Sequence, residues 1–332
     1  MSRRVSMADV AARAGVSGQT VSRVVNGSPR VDPATRTRVE TAMAALGYRP
    51  HRAARALRTG RTETIGLLVS TLATVGNSRM LQAVADAAAS RNYALVVVTL
   101  GGREGAPAAF DRLREQGVDG VIVLNEATAL ATDGPLPPDL ELVVVDAPVD
   151  DEHPGFGIVQ SDHAGGARAA VAHLLALGHR TVHLIAGPES SFAAAERERG
   201  WRLALSEAGA QAPAPNRGDW TAASGHRAAT ALAADAAVTA VFAANDQMAL
   251  GAMRAFAEAG RRVPEQISVV GFDDNADAAD YLPPLTTVRQ DFDALGERAV
   301  AALVDGIEGA PRAVETLPTA LVVRASTAPA TP

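Results

Sequence analysis

The sequence predicts a small all-α head followed by a larger α/β body of two lobes built on parallel sheets. Three observations carry this. Residues 6–46 break into three short capped segments with apolar residues at helical spacing. From Thr64 onward, apolar strand-like runs alternate with amphipathic helical stretches, the pattern of parallel sheets covered on both faces. Charge divides along the same line: residues 1–61 carry 12 Arg and 3 Asp or Glu, whereas the remainder carries 19 Arg and 34 Asp or Glu.

Composition bounds the function. At 332 residues the chain is long enough for two or three compact units. It is 47% hydrophobic with a mean hydropathy of +0.06, ample for buried cores. No apolar run reaches the length of a membrane span. The N-terminal "MSRRVSMADVAARAG" has neither an apolar signal core nor a cleavage site. With 0 Cys, disulfides, zinc–thiolate sites and thiol nucleophiles are excluded. The expected location is the cytoplasm. The net charge of -6 argues against a nucleic-acid partner for the chain as a whole, but the basic head alone points to an anionic one.

In the head, Ser6 and Asp9 predict a capping box opening a helix over "MADVAARA" that stops at Gly15. A second helix begins at Ser17 and ends near Asn26–Gly27. Asp32 and Pro33 open a third, which runs to Gly47. The first two are joined by the tight turn "AGVS". Such a pair is a helix-turn-helix, whose second helix enters the DNA major groove. Val16, Val21, Val24 and Val25 give this second helix a buried side. Its other side presents Gly18 and Gln19, then Ser22 and Arg23 one turn later, as the base-reading group. Gln pairs bidentately with adenine and Arg with guanine. Ser17, Thr20 and Asn26 suit phosphate contacts, which fix register without reading sequence.

In the body, the strand-like runs end in neutral or anionic hydrogen-bonding groups: Ser70, Asn125, Asp146, Asn245–Asp246 and Asp273–Asp274. Arg197 follows from the helix after "TVHLIAG", and Trp220 lies in "NRGDWTAASG". Ligands in parallel sheets bind beyond the C-terminal strand ends. Asp, Asn and Ser are also ordinary helix caps and turn residues there, and Asp246 and Asp274 are read so. Arg197, Trp220, Asn245 and Asp273 together are read as a ligand site. Carboxylates and amides can hold vicinal hydroxyls while an aromatic face covers C–H groups, which suits a sugar. Lobe crossings are expected near residues 160 and 290.

The stretch "MADVAARAGVSGQTVSRVVNGSPRVDPATRTRVETAMAALGYRP" resembles the DNA-binding head of the LacI family of bacterial transcription regulators. The resemblance continues to about residue 327 through "AERERGWR", "GDWTAASG", "ANDQMALGAMRA", "ISVVGFDD" and "YLPPLTTVRQDF". It implies a helix-turn-helix domain over 1–50 and a hinge helix over 51–62. A two-lobed body with a periplasmic-binding-protein-like fold spans 63–328, followed by a short tail at 329–332. Taken alone, the Arg-rich segment "RPHRAARALRTGRT" reads as a linker too short for an independent helix. The resemblance implies that it folds on DNA, with His51, Arg52, Ala54 and Leu57 at the minor groove and Leu57 as a wedge between base pairs. His51 stands where the family usually has Asn. The implied effector contacts are Ser70, Asn125, Asp146, Arg197, Trp220, Asn245, Asp273 and Phe292. The implied partners are a pseudo-palindromic operator and a sugar inducer of galactoside type, at the nucleoid.

Other classes fit less well. Ser161, Asp162 and His163 are adjacent in "SDHAGG", so their side chains point apart rather than converging as a triad. His173, His179 and His183 lack a carboxylate at a metal spacing and read as surface or packed histidines. An enzyme is therefore not expected, nor a metal or other cofactor. A transport binding protein would share the two lobes but lacks a reason for the basic head. After "ALVVRAS" only "TAPATP" remains, with no leucine heptad, so a homodimer is the expected assembly.

Overall fold

Capping chemistry sets the limits of the head helices. In the computed structural model, which describes residues 5–25, 27–48, 60–100, 105–124, 137–149 and 155–330, α1 spans Met7–Ala14. The Asp9 amide donates to Ser6 Oγ at 3.4 Å and the Ser6 amide to Asp9 Oδ2 at 2.8 Å. Gly15 ends the helix in the left-handed region at φ 65°. Helix α2, Gly18–Val25, is opened by Ser17, whose Oγ accepts from the Thr20 amide at 3.1 Å. Helix α3, Pro33–Leu46, is capped by Asp32, which accepts from the Thr35 amide at 2.9 Å. One fully buried valine from each helix, Val10, Val21 and Val39, makes the centre of the head's core.

The chain divides into two compact units at Thr62/Glu63. In the second unit, the first lobe holds β1 Thr64–Val69, α4 Val75–Ser90, β2 Ala94–Thr99, α5 Ala106–Glu115, β3 Gly120–Leu124, β4 Glu141–Val145 and β5 Gly157–Ser161. The second lobe holds α6 His163–Ala176, β6 His183–Ala186, α7 Phe192–Glu207, β7 Asn216–Arg217 and α8 Ala222–Ala234. It continues through β8 Ala240–Ala243, α9 Asp246–Glu258, β9 Ser268–Asp273 and β10 Thr286–Arg289. The chain then returns to the first lobe for α10 Phe292–Ile307 and β11 Val314–Leu317, and ends in the second with β12 Ala320–Val322.

Both sheets repeat one order, β2-β1-β3-β4-β5-β11 and β7-β6-β8-β9-β10-β12. All pairings are parallel except β12 on β10. Side chains alternate across β1: Ile65, Leu67 and Val69 pack with α4 and α10, whereas Leu68 packs with α5. In the second lobe α8 and α9 cover one face and α6 and α7 the other, where Trp201 is fully buried and donates to the Val182 carbonyl at 2.8 Å.

The chain crosses between lobes at Asp162, at residues 290–291 and a third time at residues 318–319. The third crossing has no local signal, because "ALVVRAS" reads as a strand without saying which sheet it joins. Beyond β12 the chain stays tied to the second lobe: Ser326 is fully buried and the Ala330 amide donates to Leu177 O at 2.9 Å.

Two glycines let α8 and α9 touch along their backbones. A Cβ on Gly251 would meet the Ala222 carbonyl oxygen, and one on Gly225 the Met248 carbonyl oxygen, each well inside van der Waals contact. Gly251→Ala should lower unfolding stability by about 1–3 kcal/mol, as overpacking does. Denaturant titration measures this, and an unchanged midpoint would refute the close approach.

Candidate functional site

The C-terminal strand ends of the two lobes face one cavity, the usual place for a ligand in parallel sheets. It is lined by Asp146 and Phe292 from the first lobe and by Arg197, Trp220, Asn245 and Asp273 from the second. Six of the eight residues expected at the effector site thus share one cavity. Ser70 stands half-buried just beyond β1 but is not among the lining residues. Asn125 lies outside the described residues.

Arg197 projects from α7 and is 4% exposed. It donates to the Ala244 carbonyl and lies 3.4 Å from Asp273 Oδ1. Its guanidinium stacks on Phe272, 3.8 Å from the ring centroid, and lies 5.4 Å from that of Trp220. Asp273, at the end of β9, also accepts from Gln290 Nε2 at 2.7 Å. Burial pushes its carboxyl pKa up, with Arg197 and Gln290 pulling it back down.

Asn245 caps α9, accepting from the Met248 amide at 2.9 Å, and its Nδ2 holds the Trp220 carbonyl at 3.0 Å. It is therefore both a helix cap and a cavity wall. A Cβ on Gly187 would strike the Trp220 indole, so the missing side chain is what seats that ring. Asp146, Trp220 and Asp273 all have positive φ, 62°, 71° and 106°. Such strain in non-glycine residues is held only where surrounding contacts over-determine it, and it gathers at functional sites. Phe292 opens α10 at the second crossing, with the Arg79 guanidinium 5.4 Å from its ring centroid.

Asp246 and Asp274 serve the fold, but not as the helix caps expected of them, since the cap of α9 is Asn245. Asp246, fully buried, accepts from the Asn275 amide at 2.7 Å and the Thr287 hydroxyl at 2.6 Å. Asp274 pairs with Arg289 and Arg324, each at 2.6 Å. Asp162 caps α6 while His163 turns inward to Asp146, so the adjacent residues of "SDHAGG" do point apart. His179 is packed against Thr239 and Ser268, and burial lowers its pKa and those of His173 and His183.

Several wall residues were missed from the sequence: Gln290, Asn77, Met80, Ala193 and Leu295. Asn77 and Met80 fall one turn apart at helical spacing, where a buried polar residue beside an apolar one was the available signal. Gln290 carried none.

In the head, Gly18, Gln19 and Arg23 are exposed along one side of α2, with Thr20 and Ser22 half-buried beside them. Ser17 Oγ and Thr20 Oγ1 are 3.0 Å apart. Asn26, His51, Arg52, Ala54 and Leu57 lie outside the described residues. Among the described residues no group of His, Asp and Glu could hold a metal ion, and no helix is long and apolar enough to cross a membrane.

Residues 6–51 match the family model for bacterial regulatory proteins of the lacI family, and residues 171–327 that for the periplasmic binding protein-like domain. The chain is 42% identical over 330 residues to the lactose operon repressor of Escherichia coli strain K12, covering 97% of this chain and 91% of that protein. A lac repressor dimer bound to operator and the anti-inducer ONPF has a TM-score of 0.85 at 39% identity, covering 98% of this chain and 100% of that one. A complex of the transcriptional regulator CelR with cellobiose has a TM-score of 0.72 at 38% identity, covering 97% and 100%.

Burial raises the Asp246 carboxyl well above its ordinary 3.8, with Asp273 adding to the rise and Thr287 opposing it. A raised acid pKa means that the folded state holds the proton more tightly than the unfolded one. The resulting stability is full below 3.8 and is lost as pH rises through the folded pKa. Asp246→Asn should therefore gain on wild type as pH climbs from 3.8. Urea midpoints across pH check this, and a pH-independent gap would refute it.

Proposed function

This chain belongs to the LacI family of bacterial regulatory proteins, and from that premise we propose that its interlobe cavity takes a galactoside whose binding releases the operator. The chain is a DNA-binding transcriptional repressor, not an enzyme, with a sugar effector and a dimeric working form. What supports the galactoside reading is the convergence of Arg197, Asn245, Asp273 and Trp220 on one cavity with Asp146 and Phe292 opposite. A sugar hydroxyl both donates and accepts. The guanidinium and amide nitrogens supply donors, the carboxylates supply acceptors, and Trp220 offers an apolar face. The lactose operon repressor likeness favours a galactoside; the CelR likeness makes cellobiose the competing ligand.

In the head, Gln19 and Arg23 read bases, with Gly18 and Ser22 beside them, and Ser17, Thr20 and Asn26 hold phosphates. His51, Arg52, Ala54 and Leu57 act at the minor groove, with Leu57 wedging a base step. The site of action is the nucleoid in the cytoplasm.

Lactose should raise Tm and weaken operator binding, with operator lowering lactose affinity by the same factor. Asp273→Ala should lose lactose binding by calorimetry while keeping operator binding. Stabilisation by cellobiose and not by lactose would overturn the galactoside reading, and retention on operator at saturating lactose would overturn release.

Arg23→Ala should cost about 1–3 kcal/mol of operator affinity and relax preference at one position in each half-site. Gel-shift titration of half-site variants measures it. Unchanged preference would remove Arg23 from base reading.

A further inference from the structure

One buried ionisable group stands behind the cavity rather than in its wall. His163 opens α6 directly after the first crossing and is 2% exposed. Its Nε2 is 2.8 Å from Asp146 Oδ1, at the end of β4 in the first lobe. Its Nδ1 faces both Nε and Nη2 of Arg197, each at 3.4 Å, from α7 of the second lobe. The Phe272 ring flanks it, with centroids 6.0 Å apart.

A guanidinium carries only donors. Two of its nitrogens directed at Nδ1 require a lone pair there, so the ring hydrogen sits on Nε2 and is donated to Asp146. We propose that His163 is a positioning residue, held neutral as the Nε2–H tautomer, that couples Asp146 of the first lobe to Arg197 of the second and so sets both effector-contacting groups. This rests on the reading of the cavity as the sugar site.

A second proton would have to sit on Nδ1, against the Arg197 donors. Charging the ring therefore displaces the guanidinium from its place over Phe272 and beside Trp220. The charged groups around the ring are Asp146 from β4, Arg197 from α7 and Asp273 from β9, with Asp162 next to it in the chain but occupied in capping α6. Asp273 Oδ1 is already held by Gln290 and Arg197, and the two Arg197 donors directed at Nδ1 decide the tautomer.

The test uses the full chain labelled with 15N-histidine, His163 being assigned by the signals lost in His163→Gln. At neutral pH Nδ1 should show the shift of an unprotonated ring nitrogen and Nε2 that of a protonated one. A protonated Nδ1, alone or in an imidazolium, would overturn the proposal. As acid titrates the ring, tryptophan emission should change in step, and His163→Gln should lack that step. The same step in the variant would overturn the coupling. Lactose binding should fall by about tenfold or more in His163→Leu but stay within about threefold in His163→Gln, whose amide both donates and accepts. Equal losses in both would reduce His163 to packing and overturn the positioning role. A wild-type chain indifferent to lactose refutes the galactoside reading alone, because the nitrogen shifts and the emission step need no sugar.

Discussion

A buried cation must have its donors met, and in this body that demand organises the cavity. The Arg197 guanidinium, 4% exposed, would be strongly unfavourable without partners. It finds them at the Ala244 carbonyl after β8, at Asp273 ending β9 and at His163 opening α6, with Phe272 against its face. Three chain segments that meet nowhere else in sequence are thereby fixed around one charge. Asp273, whose carboxylate meets Arg197 and Gln290, holds a positive φ of 106°.

The two lobes repeat one strand order, so each supplies its own set of C-terminal strand ends. The crossings bring those sets face to face. The first and third crossings are joined directly, with the Asp162 amide donating to Leu317 O at 2.8 Å and the Thr319 hydroxyl to Asp162 O at 3.1 Å. Gln290, on the second, reaches Asp273. Short connections of this kind suit closure of two rigid lobes about a ligand. A ligand held from both sides shifts the balance of lobe arrangements by its differential affinity for them, and a DNA-binding regulator can use that shift.

Local chemistry made much of this molecule legible in advance. The caps at Ser6, Ser17 and Asp32 and the stops at Gly15 and Gly47 are short-range hydrogen-bonding and φ preferences, so the head helices could be placed within a residue or two. The β–α alternation from Thr64 likewise follows from apolar periodicity. Polar residues that end an apolar run, such as Asp146, Asn245 and Asp273, could be singled out because a strand's C-terminal end is where a parallel sheet opens to ligand.

Which of those residues share a cavity was a matter for the tertiary structure. Ser70 directly follows β1 and Asp273 ends β9, yet only Asp273 lines the cavity. Gln290 and His163 carry no local mark of their roles, because each is defined by a partner far away in sequence: Asp273 for one, Asp146 and Arg197 for the other. The third crossing is of the same kind, since a short apolar strand can add to either sheet edge. The elements and their caps could be read from the chain because interactions a few residues long set them, and the division of charge between head and body because it is plain composition. Only the folded body decided how the lobes exchange strands and which carboxylate meets which cation, because those contacts depend on where distant strand ends come to rest.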